Sequence, residues 1–245
     1  MKKNKPNESG QTKKSAEKNA DFFLNNYEEY RDNVNSLDSY AAMSLALSEE
    51  LGSVNYLLDI GNGGVFDYKT SSINKIVGLD LFLDKLPGGA QIPKNVEMIQ
   101  GSALNIPANL NGFDTVVMVM LIHHLVGTSV FDCIENIKRA ISEAYRVLSP
   151  GGKLVIMESC VPEWFYKFEK VVYKPASFLI EKLINHPPTL QYPSAFLVSL
   201  IDEAGFENIS SNNIPLGKYI LQFGIKCPTW VTPVQPVLFS AIKPR

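Results

Sequence analysis

The chain has 245 residues, 45% hydrophobic and 20% charged, a composition that suits one large α/β domain. Lys and Arg number 23 against 25 Asp and Glu, and the resulting net charge of −2 speaks against a nucleic-acid partner. Cys133, Cys160 and Cys227 are far apart with no CxxC pair, which argues against a disulfide framework or a cysteine-rich zinc site and fits a reducing, cytoplasmic setting.

The first 19 residues, opening "MKKNKPNESGQTKK", are lysine-rich and lack an apolar segment, so they read as a disordered basic tail and not as a secretory signal. The longest apolar run, Val116–Ile122, falls far short of the ~20 residues a spanning helix needs, and no stable membrane association is expected. Residues 20–245 read as a single domain. "DFFLNNYEEYRDNV" has helical spacing. A second helix over Ser39–Leu51 is predicted from Tyr40, Met43, Leu47 and Leu51, with Gly52 as its stop.

Strands then alternate with helical or irregular connections. They are predicted at 55–60, 74–80, 95–100, 113–121 and 152–159, with two more at 206–214 and 236–244. The fourth is almost wholly apolar, as a central strand covered on both faces should be. A helix over Val130–Leu148 carries an apolar stripe of Phe131, Ile134, Ile137, Ile141, Ala144 and Leu148. Ser129 with Asp132 resembles a capping box, and Ser149-Pro150-Gly151-Gly152 forbids continuation. Another helix runs from Ser194 to Ala204. The alternation implies a mostly parallel sheet with helices on both faces. Residues 160–192 break the rhythm and read as an aromatic-rich helical insertion placed as a lid.

The stretch "YLLDIGNGG" (56–64) ends a buried strand in an acid and turns at once on glycines. At the first turn of an open α/β sheet, glycines allow close backbone approach to a ligand, and a following helix N-terminus would offer N–H groups. A dinucleotide fingerprint would need a third glycine where Phe66 stands, and Asp59 would repel a pyrophosphate. S-adenosylmethionine (SAM), with an ammonium, a sulfonium and a ribose diol, suits an acid better. Asp80, 21 positions on at the tip of the second strand, is where a diol acceptor should project.

"LLDIGNGG", "VGLD", "GSALNIP", "FDTVVMVMLIHHL" and "LSPGGKLVIMES", in that order, resemble class I SAM-dependent methyltransferases over roughly residues 55–160. The resemblance implies an α/β, Rossmann-like seven-stranded fold with N-terminal helices, SAM as cofactor and S-adenosylhomocysteine as product. It puts Asp59, Gly61, Asn62 and Gly63 at the methionine end of SAM, Asp80 at the ribose and Leu81 against adenine. Ser102 and Ala103 fall at the adenine edge, and Met120 and Leu121 under the cofactor. The sequence departs from the family pattern at Val65, in place of a third glycine, and at Ser102, in place of an acid.

His123, His124 and Glu158 follow the fourth and fifth strands and are the candidate catalytic groups. Being adjacent, the two histidines are expected to point differently. Trp164, Tyr166, His186 and Tyr192 are the candidate acceptor-binding residues of the lid, with Gln191 beside them. Lysines interleaved with the rings would also suit a membrane surface. No HxxxH or HExxH spacing points to a metal. The implied function is methyl transfer to an oxygen or nitrogen of a small, aromatic or lipophilic metabolite, by a monomer or homodimer. A non-catalytic SAM-binding regulator and a nicotinamide-dependent oxidoreductase are the alternatives.

Overall fold

The computed structural model describes residues 37–86, 91–184, 189–222 and 225–245, with scattered positions before residue 33. The expected basic tail and most of the first predicted helix lie outside the described residues.

Helix α1 (Asp38–Leu51) leads into strands β1 (Val54–Ile60), β2 (Ile73–Asp80), β3 (Val96–Gln100) and β4 (Phe113–Val119). Helix α2 (Val130–Val147) passes directly into β5 (Leu148–Cys160). Helix α3 (Glu163–Ile184) is the insertion expected from the aromatic run, and α4 (Ser194–Glu203) precedes β6 (Glu207–Asn213). A hairpin of β7 (Tyr219–Gln222) and β8 (Ile225–Pro228) comes before β9 (Gln235–Ile242).

Seven strands form one sheet in the order β3-β2-β1-β4-β5-β9-β6. The first five neighbours pair in parallel, and β9 runs antiparallel between β5 and β6. Strand order reverses between β1 and β4, so a crevice opens beyond their carboxyl ends. Alternation along the strands sorts the core into two layers. Leu57, Ile76, Val117 and Val155 face α1 through Met43, Leu47 and Leu51. Leu58, Val77, Val116 and Ile156 face α2 and α4 through Ile137, Ile141, Leu197 and Ile201. Each such fully buried aliphatic side chain contributes on the order of 1.5–3 kcal/mol of transfer free energy.

Ser129 caps α2 as its spacing predicts, its side chain accepting from the Asp132 N–H. Phe131 departs from the predicted stripe. It is 70% exposed, and Cys133 and Ala140 share the buried face instead. The residue lies in the first turn of the helix. The β7–β8 hairpin was not expected: "KYILQFGIKCP" carries no two-residue Asn-Gly or Asp-Gly turn to announce it.

The connections β1→β2 and β2→β3 contain no α-helix among the described residues. One-turn 3-10 segments at Thr70–Ser72 and Leu83–Lys85 stand there. The glycine turn therefore has no helix N-terminus behind it, contrary to expectation, and its N–H groups are satisfied by the Leu79 carbonyl and by the side chains of Asp80 and Asn62.

Candidate active site

The site forms at the carboxyl ends of β1, β2, β4 and β5, and its two halves are built differently. The cofactor half begins at Asp59, which β1 buries to 1% exposure. Its Oδ2 accepts from the Tyr68 hydroxyl at 2.8 Å and from Asn62 Nδ2 at 3.1 Å. Burial pushes its pKa up to about 7 against the lowering effect of those two donors. Its Oδ1 is buried and accepts from no group among the described residues.

Gly61, Gly63 and Gly64 have φ of 73°, 58° and 78°, which side chains with a Cβ rarely adopt. The turn they make is tied to its neighbours at every step. Gly61 N–H donates to Leu79 O at 2.7 Å, and Gly64 N–H to Asn62 Oδ1 at 2.8 Å. Gly63 N–H donates to Asp80 Oδ2 at 3.0 Å, while Phe82 N–H donates to Asp80 Oδ1 at 2.9 Å. Asp80 thus clamps the loop with one oxygen and orders its own strand end with the other.

These residues fit SAM on their donor chemistry. Each carboxylate oxygen has a second acceptor position, so Asp80 can take ribose hydroxyls while keeping both backbone N–H groups. The unpartnered Asp59 Oδ1 is an acceptor suited to a cationic ammonium. A Cβ on Gly61 would lie 2.6 Å from Leu121 Cδ1, which puts Leu121 directly against the loop. Met120 precedes it at a φ of 50°, held by its N–H to Met157 O at 2.8 Å. Leu81 O accepts from Gln100 Nε2, Ser102 Oγ accepts from Leu104 N–H, and Ala103 packs on the core.

The acceptor half centres on Glu158, which is fully buried near the end of β5. His123, in the 3-10 turn Ile122–His124, brings Nδ1 to 2.6 Å from Glu158 Oε1. Ser159 N–H and Oγ reach the same oxygen at 2.7 and 3.2 Å, and His123 N–H lies 3.3 Å from Oε2. A carboxylate surrounded by donors only accepts, so Nδ1 carries a proton, and in the neutral ring Nε2 is the nitrogen with the free lone pair. Gln191 Nε2 donates to Ser159 Oγ at 3.2 Å, and Leu190 N–H to His123 O at 3.1 Å. The segment after the lid therefore braces the histidine from outside the sheet.

Glu158 is a buried support for His123 and not an open rim group. The two histidine rings do not diverge: their centroids are 4.1 Å apart with planes tilted 43°. Tyr166 and Tyr192 are 4% and 1% exposed and pack with Phe196 at ring distances of 5.6–5.8 Å, as core under the acceptor side. Trp164 is 65% exposed on the outer face of α3 and does not join the site. His186 lies outside the described residues.

Tyr68, Ser159 and Glu169 were not singled out from the sequence. Nothing local marks Tyr68 as the donor to Asp59. Glu169 had a signal, because it falls between Tyr166 and Tyr173 at i+3 and i−4, on their buried side of the helix. Its pKa is pushed up to about 7 by burial, with the Gln191 backbone and nearby His123 pulling it down. A separate cleft of about 620 Å³, lined by Asp38, Tyr219, Trp230 and their neighbours, contains none of the predicted site residues.

Residues 58–156 match the family model described as a methyltransferase domain. A ubiquinone/menaquinone biosynthesis C-methyltransferase of Brucella canis is 27% identical over 149 residues, 54% of this chain and 50% of the relative. A demethylmenaquinone methyltransferase of Lactiplantibacillus plantarum is 27% identical over 56% of this chain and 59% of its own length. The chain thus spans about half the length of the curated relatives it matches. Among solved structures, the N-methyltransferase NodS of Bradyrhizobium japonicum bound to S-adenosylhomocysteine superposes with a TM-score of 0.56. At 14% identity over 96% of this chain and all of that one, the likeness is one of fold.

Proposed function

We propose that this chain, which belongs to the class I SAM-dependent methyltransferases through the domain at residues 58–156, methylates an oxygen or nitrogen of a small, proton-bearing acceptor. The observation that carries this reading is the His123–Glu158 pair at 2.6 Å, set at the tips of β4 and β5 one strand away from the glycine loop.

SAM supplies an activated methyl on its sulfonium, and transfer proceeds by in-line displacement. Most of the rate then comes from holding the acceptor atom in line, which proximity and orientation reward. Asp59, Asp80 and the clamped glycine loop hold the donor side. On the acceptor side, His123 Nε2 takes the proton from the attacking hydroxyl, or from an ammonium so that the freed amine can attack. Glu158 keeps the ring in the productive tautomer and stabilises the imidazolium that forms. A base arranged this way contributes about 10²–10⁴-fold where attack requires proton loss. An acceptor that needed no deprotonation would leave this buried pair without a role.

A second reading concerns the acceptor atom. The relatives named as C-methyltransferases favour carbon as the acceptor atom, and a carbon becomes nucleophilic where a conjugated hydroxyl beside it is ionised. Removal of the hydroxyl proton by the same His123 would push electron density onto that carbon.

Calorimetric titration with SAM and S-adenosylhomocysteine tests the cofactor. A panel of phenols, quinols and amines with methyl-labelled SAM tests the transfer, and the chemical shift of the labelled methyl identifies the atom. Cofactor binding with no labelled product across the panel would favour the non-catalytic regulator.

A further inference from the structure

We propose that the outer face of α3 is a docking surface for an anionic lipid membrane, on which the helix lies in the interfacial plane. Trp164, Phe168 and Val171 recur at i, i+4 and i+7, so they form one stripe along the helix. They are 65%, 59% and 82% exposed, an arrangement a helix packed for stability alone would not keep. Lys167 and Lys170 are exposed along one flank of the stripe. The inner face of the same helix is committed to the core through Tyr166 and Tyr173. The helix is therefore two-sided, with one apolar face spent on the fold and a second left in water.

The choice of occupant follows from area and charge. Scaled by their exposure, the three side chains offer roughly 400 Å² of apolar surface. A stable protein interface needs about 800 Å² from each partner, so a second copy of this chain is underserved by the stripe. A bilayer has no such threshold. Tryptophan and phenylalanine partition into the headgroup–acyl boundary, and flanking lysines meet anionic headgroups. Among the described residues no helix is long and apolar enough to cross a membrane, so the contact is one of lying on the surface, reversible by salt. The face sits on the helix that follows β5, whose end carries the acceptor-side carboxylate Glu158. The proposal concerns where the chain works and stands independently of its cofactor.

The test is sedimentation of the full chain with vesicles of phosphatidylcholine alone or mixed equally with phosphatidylglycerol. Fluorescence of Trp164 is followed in a Trp230→Phe background, since the chain has two tryptophans. Co-sedimentation with the anionic vesicles and a blue shift of Trp164 emission are expected. The double variant Trp164→Ser, Phe168→Ser should lower the partition coefficient about tenfold or more. Lys167→Glu with Lys170→Glu should lower it about tenfold at low salt, with no difference on phosphatidylcholine. Circular dichroism and melting temperature check that the surface variants fold, whatever the cofactor result. No co-sedimentation with anionic vesicles overturns the proposal, as does binding that the stripe variant retains. A dimer in analytical ultracentrifugation that the stripe variant dissociates also overturns it, and assigns the face to a second copy.

Discussion

The cofactor half and the acceptor half of the site are separated by one strand and rest on opposite kinds of construction. The cofactor half is backbone: three glycines at positive φ, with their N–H groups spent on Leu79, Asn62 and Asp80. The acceptor half is side chain: His123, Glu158, Ser159 and Gln191 linked in series across a turn, a strand and the segment after α3. A backbone site is specified by residues close in sequence, whereas a side-chain network is specified by packing between distant elements. The first tolerates a change of neighbour and fails when its clamp is cut. The second fails when any link is lost.

The largest effect should come from the acceptor half. His123→Asn or Glu158→Gln should lower kcat by about 10³ with any acceptor that must lose a proton. SAM affinity measured by calorimetry should stay within a factor of about two to three, because neither side chain touches the glycine loop. A parallel loss of SAM binding would erase the distinction between the halves. Rescue of His123→Asn by raising pH would sharpen it, since a preformed anionic acceptor needs no base.

Cutting the clamp should be next in size. Asp80→Ala removes the acceptor for Gly63 N–H and Phe82 N–H together with the proposed ribose partner. Hydrogen bonds to a charged group are worth about 1.5–3 kcal/mol net, so SAM affinity should fall by about 10²-fold. If Asp80→Asn bound SAM as tightly as the parent chain, the carboxylate would be serving the loop alone.

Much of this was legible in the sequence, for identifiable reasons. The strand positions along the chain, the α2 cap at Ser129 and the tight turn on Gly61, Gly63 and Gly64 all follow from local patterns. Hydrophobic period, capping chemistry and glycine punctuation act within a few residues of one another. Tyr68 was not legible because its tie to Asp59 spans an irregular loop that replaces a helix. Tyr166 and Tyr192 read as acceptor-binding residues, and the structure buries both rings against each other and Phe196. An aromatic residue in an insertion gives no local sign of whether its ring meets a ligand or, as here, Phe196. Phe131 fits the helical period and still faces solvent, because the period says nothing of where the sheet beneath the helix ends.

A smaller effect should separate the halves by pH. Asp59 is raised to about 7 in the folded chain, chiefly by burial, with Asp67 and Asp80 adding repulsion and Tyr68 and Asn62 opposing it. Its folded value lies above its unfolded one, so its stabilising contribution is complete below the unfolded range near 3.8 and is lost as pH rises through 7. The melting temperature without cofactor should therefore decline between about pH 4 and 7 more steeply for the parent than for Asp59→Asn. SAM should respond in the opposite sense, because its ammonium favours the ionised acid. Affinity should be about tenfold weaker at pH 6 than at pH 8, and Asp59→Asn should flatten that slope. An unchanged slope in the variant would move the titrating group elsewhere.

The smallest effect tests whether the halves are distinct from the scaffold beneath both. Ser129→Ala removes the acceptor for Asp132 N–H at the start of α2, a helix that packs under the sheet and meets the end of the histidine turn through Asn136. Loss of such a cap costs about 1 kcal/mol, because the Thr128 hydroxyl donates to the Asp132 carboxylate and accepts nothing from its N–H. The expected outcome is a melting temperature lower by a few degrees, with SAM affinity and turnover at the parent level below the transition. If α2 only fills the core, weakening its end loosens the fold uniformly and both halves respond together near the melting transition. Loss of turnover far below that transition, with cofactor binding intact, would instead show that the helix end transmits to His123. The route would run through Asn136, whose Nδ2 donates to Leu125 O and Val126 O just after the histidine turn.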